Sequence, residues 1–284
     1  MSYIPFPEIL ASYRVDIKKE IRKLHELFYE SPIETNSLEY EKRLRSMYQL
    51  CSDFFFSYKH RGLILSLSEF DEAFGFNRFS YMKYYDGEEL DALISFCEYV
   101  YNLINNISFP ESRINDCVKF LAEHIQILCS SLGYVIHNDN GMYHIVPSNG
   151  VIDYVCEKMG NDVTQLIRVY SHKTTKGNLA IKQQILSTLC KELEPYKKGF
   201  SKLNMSDIAD NVFCGANNCD IRHNNSDQEG KNYCANFAGL TEEERESIYD
   251  NMFENIIVLL SAMIGSEAID ELNGEIAGIK RKLH

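Results

Sequence analysis

The stretch from Thr241 to about Ile264 constrains this chain more than any other, because Ile256-Ile-Val-Leu-Leu260 leaves it apolar on nearly every side. A helix of that kind has no face to offer water, so other helices must enclose it or a second subunit must cover it. Thr241-Glu-Glu-Glu244 supplies the cap and the acidic first turn that a helix start favours. The apolar run contains Ser261. It falls short of the roughly 20 residues that span a bilayer, so no membrane partner is expected.

Helical spacing continues through most of the chain. Leu10, Tyr13, Ile17, Ile21, Leu24 and Phe28 step by three and four residues, which predicts a helix running to about Glu30 and stopped by Pro32. Leu44, Met47, Cys51, Phe54 and Tyr58 predict a second helix. Asp86-Gly-Glu-Glu89 reads as a capping box before a third carrying Leu90, Leu93, Cys97, Val100 and Ile104, and Ile114 to Leu132 form a fourth stripe. Residues 63–85 give no clear assignment.

Gly133 breaks the helical pattern. Tyr134-Val-Ile-His-Asn and Met142-Tyr-His-Ile-Val, joined through Asp139-Asn-Gly141, predict a β-hairpin, since Asn-Gly accepts the positive φ of a tight turn. Short helices capped by Asn149 and Asp162 follow, then a longer one from Asn178 to Glu194-Pro195, then one from Ser206 to Asp220. The expected fold is therefore mainly α, with two helical domains: residues 1–132, and a helical bundle over residues 133–284 that begins with the hairpin.

The formal net charge of −12 and pI near 5.2 argue against broad, non-specific nucleic-acid binding, which needs a positive surface. A local basic cleft is compatible with that total. Nine cysteines, most within helical patterns and with no secretory signal ahead of them, read as reduced thiols of a cytoplasmic protein. Cys214, Cys219, His223 and Cys234 are separated by four, three and ten residues, which matches no common structural zinc pattern, so neither metal nor cofactor is implied. The aromatic groups Phe54-Phe-Phe56, Tyr84-Tyr85, Tyr99 and Tyr101 stand in acidic helical surroundings and read as packing rather than base-stacking residues.

The chemistry-bearing segment is Asn217-Asn-Cys-Asp-Ile-Arg222-His223-Asn-Asn-Ser-Asp227. A guanidinium presents paired donors that match two phosphate oxygens and keeps its charge at every relevant pH. The adjoining imidazole exchanges protons near neutrality. Arg222 and His223 are the candidate catalytic pair, with Asp227 as an orienting carboxylate and Asn218, Asn224 and Asn225 as further phosphate contacts. The plain structural alternative is an arginine paired with Asp220 or Asp227 and a histidine that caps the helix end.

A hairpin ending Ile-Val-Pro147, then Gly177-Asn-Leu-Ala-Ile-Lys182 leading into a helix that ends Leu193-Glu-Pro195, then Ile221-Arg222-His223 and a closing apolar helix form an ordered series. This series, over roughly residues 129–265, resembles the HEPN domains of bacterial abortive-infection and toxin proteins, particularly the AbiJ-like group. The resemblance implies antiviral defence or growth arrest by metal-independent endoribonuclease action. It also implies RNA as ligand, a homodimer whose motifs meet across a cleft, and a regulatory or sensing role for residues 1–132, with a protein partner. HEPN ribonucleases generally show Arg, four to six residues, then His. Here that window holds Asp227, Gln228 and Glu229, and Asn225 stands where the AbiJ-like group has Glu. A non-catalytic HEPN-like module that dimerises and binds nucleotide, RNA or protein is the competing expectation.

Overall fold

The computed structural model describes residues 15–36, 42–84 and 90–282, with side chains described as far as residue 267. It is mainly α-helical, with two small antiparallel strand pairs among the described residues. The chain divides into two compact units, residues 1–146 and 147–284.

In the first unit, α1 (Ile17–His25) begins at Asp16, whose side chain accepts the Lys19 N–H, and buries Ile21 and Leu24. It passes into a wider π-helical turn, Glu26–Glu30, before Pro32. The earlier part of the expected helix lies outside the described residues. Leu44 does not open the second helix as its spacing suggested. It is 67% exposed in a hairpin of β1 (Ile33–Asn36) and β2 (Lys42–Arg45), and α2 (Met47–Asp53) starts after a Ser46/Gln49 capping box. Single-residue apolar spacing cannot tell a strand's exposed face from a helix's buried one when the run is this short.

Residues 63–84, unassigned from sequence, form α3 (Leu67–Ala73) and a 3-10 segment, Phe76–Tyr84, whose Phe79 and Met82 are buried. The Asp86–Glu89 box lies outside the described residues, immediately before α4 (Leu90–Asn106). α4 and α5 (Ser112–Ser131) run through this core. Of the aromatic groups, Phe55, Tyr99 and Tyr101 are buried as expected, while Phe56 and Tyr84 are 69% and 74% exposed.

The second hairpin, β3 (Tyr134–Asp139) and β4 (Met142–Pro147), turns at Asn140 (φ 51°) and Gly141 (φ 90°). It belongs to the first unit, which corrects the boundary expected at residue 133. The reason is a graft onto α4: the Asn102 amide donates to Tyr143 O (2.7 Å) and accepts Tyr143 N–H (2.8 Å), and Glu98 accepts Ile145 N–H (2.7 Å). Polar side chains of a helix thus complete a strand edge that would otherwise hold unpaired groups.

The second unit contains α6 (Gly150–Lys158), α7 (Asn161–Ser171), α8 (Leu179–Leu193), α9 (Ser206–Asn218), the short α10 (Ala235–Ala238) and α11 (Glu242–Lys282). Asn149 and Asn178 cap α6 and α8 as expected, whereas α7 is preceded by Gly160 rather than capped by Asp162. Pro195 leads α8 into a 3-10 turn. Thr241 and Glu244 form the reciprocal cap of α11. This helix is the centre of the unit: Ile256, Leu259 and Leu260 are fully buried, and α6, α8 and α9 pack along it. Its segment Glu242–Glu267 is long and apolar enough to cross a membrane by length and composition, contrary to the shorter run read from sequence. Half of the apolar window is buried in the structure.

Candidate functional site

α9 meets α11 where Gly215 faces Met252, and a side chain at Gly215 would fall 2.6 Å from the Met252 sulfur. Four residues on, Cys219 ends the helix with its N–H on Gly215 O (2.9 Å), and its carbonyl accepts the Tyr249 hydroxyl from α11 (3.0 Å). Asp220 then takes a left-handed φ of 57°, which turns the chain so that Arg222 N–H reaches back to Ala216 O (2.9 Å). Aspartate tolerates this conformation because its short polar side chain bonds locally.

The Asp220 carboxylate accepts the backbone N–H groups of Asn225 and Ser226 and the Ser226 hydroxyl. In return Asn225 Oδ1 accepts Asp220 N–H (2.9 Å), and the Asn225 amide donates to Asn217 O (3.0 Å) and Asn232 O (2.7 Å). Asn225 is 1% exposed. It is therefore the knot of the loop and not a phosphate contact, which corrects the role expected from sequence.

Asp220 is consumed by the loop, so it does not pair with Arg222 as the plain alternative supposed. Ile221 anchors in the core at 5% exposure, and Arg222 leaves it toward Glu194, with Nη2 2.7 Å from Oε1. The Arg222 guanidinium lies 5.6 Å from the Phe213 ring centre, and Lys197 Nζ lies 4.6 Å from the same ring. Two cations thus share one aromatic ring. The Arg222 side chain is 21% exposed and Glu194 is 53% exposed, so the carboxylate that balances the arginine stands at the surface.

His223, Asn224, Asn218 and Asp227 are exposed. Asn218 turns its amide back to Cys214 O (2.9 Å), and Asp227 accepts Glu229 N–H (3.0 Å). The expected Asp227–His223 contact is absent among the described residues: Asp227 closes its own turn. The structure therefore places Arg222 and His223 side by side on one loop, with Lys197 and Glu194 brought in from the end of α8. Two cavities among the described residues, of about 530 and 430 Å³, are lined by Arg78, Phe79, Tyr81 and Tyr84 in the first unit and by Thr174, Lys176 and Gly177 in the second. Neither contains Arg222 or His223.

A second charged cluster was not assigned a role from sequence. Lys182, 4% exposed, sets Nζ 2.8 Å from Glu246 Oε1 and 2.5 Å from Asp250 Oδ1, and Asp250 also accepts the Tyr170 hydroxyl (2.9 Å). The Gly177 N–H (2.6 Å) and then Lys182 hold the Glu246 carboxyl below its usual range. Glu246 and Asp250 sit one turn apart on α11, a spacing legible in sequence, but nothing local reveals that α8 delivers a lysine between them. With two carboxylates on one ammonium, the cluster ties α7, α8 and α11 together and offers no positive charge to an anion.

No protein-family model, curated protein or solved structure matches this chain. Fold and site alone define its class: a two-unit, mainly α-helical protein whose second unit carries a partly buried Arg222 paired with exposed Glu194, near Lys197 and followed in the chain by exposed His223.

Proposed function

We propose that residues 147–284 form a HEPN-like module of a bacterial phage-defence or toxin protein, and that Arg222 and His223 cleave RNA with no metal in the step. The observation that carries this is the partnering of Arg222: its balancing carboxylate, Glu194, is surface-exposed and is the kind of group a phosphodiester displaces. Arg222 then holds the non-bridging oxygens, with Lys197 adding charge nearby. His223 takes the proton from the ribose 2′-OH as its oxygen attacks phosphorus, the bond to the 5′ oxygen breaks, and that oxygen takes a proton from water. The products are a 2′,3′-cyclic phosphate and a 5′-hydroxyl. Two protomers bring two such pairs together in a two-fold dimer. Residues 1–146 act as the sensing or recruiting unit, through RNA or a regulatory protein, in the cytoplasm.

The test is incubation of the purified chain with mixed RNA in chelator, beside Arg222→Ala and Glu194→Gln. Wild type should generate cyclic-phosphate ends, Arg222→Ala should lose about 10²–10³-fold in rate, and Glu194→Gln should bind RNA more tightly. Equal inactivity of wild type and Arg222→Ala on every RNA removes the enzyme.

A specific observation favours a second reading, a non-catalytic RNA- or nucleotide-binding module: among the described residues no side chain orients His223, since Asp227 bonds to Glu229. Under it, Arg222→Ala weakens binding while no turnover is seen in either protein.

A further inference from the structure

In the first unit, Phe76–Tyr84 is nine residues of 3-10 helix, longer than the three or four at which such turns usually stop. Three residues complete each turn, so side chains three apart stand above one another. Phe79 and Met82 form the ridge that enters the core, while Arg78, Tyr81 and Tyr84 form a second ridge on the solvent side. Tyr84, expected to pack, is largely exposed, and so is Tyr81. That outer ridge lines the cavity of about 530 Å³, whose opposite wall is the start of α4, with Asp91 and Ser95 one turn apart and small Ala92 beside them. The volume is that of a small-molecule site.

The two walls differ in what they offer. The Arg78 guanidinium rests 5.1 Å from the centre of the Phe79 ring, and among the described residues no carboxylate pairs with it. Lys83, held by Glu30 at 2.7 Å, sets Nζ 5.2 Å from the centre of the Tyr84 ring and steadies it. On α4 the Ser95 hydroxyl donates to Asp91 O (2.6 Å), which leaves the Ser95 oxygen as an acceptor, and the Asp91 carboxylate makes no hydrogen bond or ion pair among the described residues. One wall presents rings and a cation, the other only acceptors.

A ligand that answers both walls has a flat ring system, neighbouring N–H donors on one edge and a single anionic group. Guanine carries two such donors side by side, which the two oxygens of a carboxylate accept together, whereas adenine offers only its amine there. Successive residues of the ridge rise about 6 Å, and a ring held between two others needs about 7–8 Å, so a small splay of the tyrosine side chains admits one base. We propose that this cavity binds a guanine nucleotide with one phosphate. The base lies between Tyr81 and Tyr84, Asp91 and Ser95 take its N–H edge, and Arg78 takes the phosphate. A lone arginine facing an aspartate suits one phosphate and not a polyanion. The site gives residues 1–146 a small diffusible signal, in keeping with the sensing role proposed above, and it stands whether or not the second unit cleaves RNA.

Guanosine 5′-monophosphate is the probe, titrated calorimetrically into the full-length chain without RNA. Expected is saturation at a single equivalent, with adenosine 5′-monophosphate about tenfold weaker. Tyr81→Ala and Tyr84→Ala should each weaken binding at least about fivefold. Arg78→Gln should bring the nucleotide down to the affinity of guanosine, and Asp91→Asn should erase the preference over adenine. All four side chains are exposed, so the variants keep the fold, and circular dichroism checks it. Phe56→Ala, which removes an exposed ring outside the cavity, should bind as wild type does. No saturable binding at millimolar nucleotide, equal affinity for the adenine nucleotide, or unchanged binding by both tyrosine variants overturns the site. Binding that Arg222→Ala removes and Tyr81→Ala does not would put the nucleotide in the second unit, and overturns it equally.

Discussion

Single side chains decide more here than their exposure suggests. Asn225 makes three side-chain hydrogen bonds from a fully enclosed position, and Asn225→Ala leaves Asp220 N–H, Asn217 O and Asn232 O without that partner. Each buried polar group left unmade costs about 1–3 kcal/mol, so the variant should lower the urea midpoint and, before global unfolding, loosen residues 219–234 in hydrogen exchange. Retention of full protection would contradict its role as the knot. In the first unit Asp71 is 4% exposed and accepts hydroxyls from Tyr48 (2.9 Å) and Tyr99 (2.8 Å). Burial pushes its carboxyl above the ordinary 3.8, against the pull of those two hydrogen bonds. Between the ordinary and the raised value the folded chain keeps a proton that the unfolded chain has lost, so this group lowers stability as pH rises through that window from about 4. Asp71→Asn should flatten that fall, and urea midpoints measured across it check the sign. Asn225 shows the limit of sequence at this scale: its identity suggested a ligand contact, and only the folded loop showed its amide turned inward.

At the scale of elements, α11 is the strut around which the second unit is assembled. Ile256 is fully buried, and Ile256→Ala removes a side chain whose space its neighbours cannot refill, at about 2–5 kcal/mol. A thermal melt should show a shift of that size in the transition of residues 147–284. The apolar encirclement of Ile256–Leu260 was legible in the bare chain, because no exposed helix tolerates it. The caps at Asn149, Asn178 and Thr241 were equally legible, each being a local contact within a few residues. The β1–β2 hairpin was not: its strands are short, Leu44 faces out, and pairing energy between residues 33 and 45 leaves no periodic mark. The β3–β4 hairpin could be read from Asn140-Gly141, but its allegiance to α4 rests on Asn102 and Glu98, far away in sequence.

For the whole molecule, the net charge of −12 limits how RNA can be held. With Arg222 and Lys197 as the cations at the Arg222 loop, the logarithm of RNA affinity should fall with the logarithm of salt at a slope of about −1.4 per site, from roughly 0.7 per neutralised phosphate on a single strand. A much steeper slope in filter binding would mean that RNA is gripped elsewhere. What the sequence determined by itself was a mainly helical chain, most helix boundaries, one hairpin turn and a buried final helix, because these depend on spacing and on groups a few residues apart. Tertiary structure alone decided that Glu194 and not Asp220 balances Arg222, that Lys182 enters between two acids, and that the hairpin joins the first unit. Those outcomes depend on which distant elements pack together, and packing energy is summed over surfaces that no local window of sequence contains.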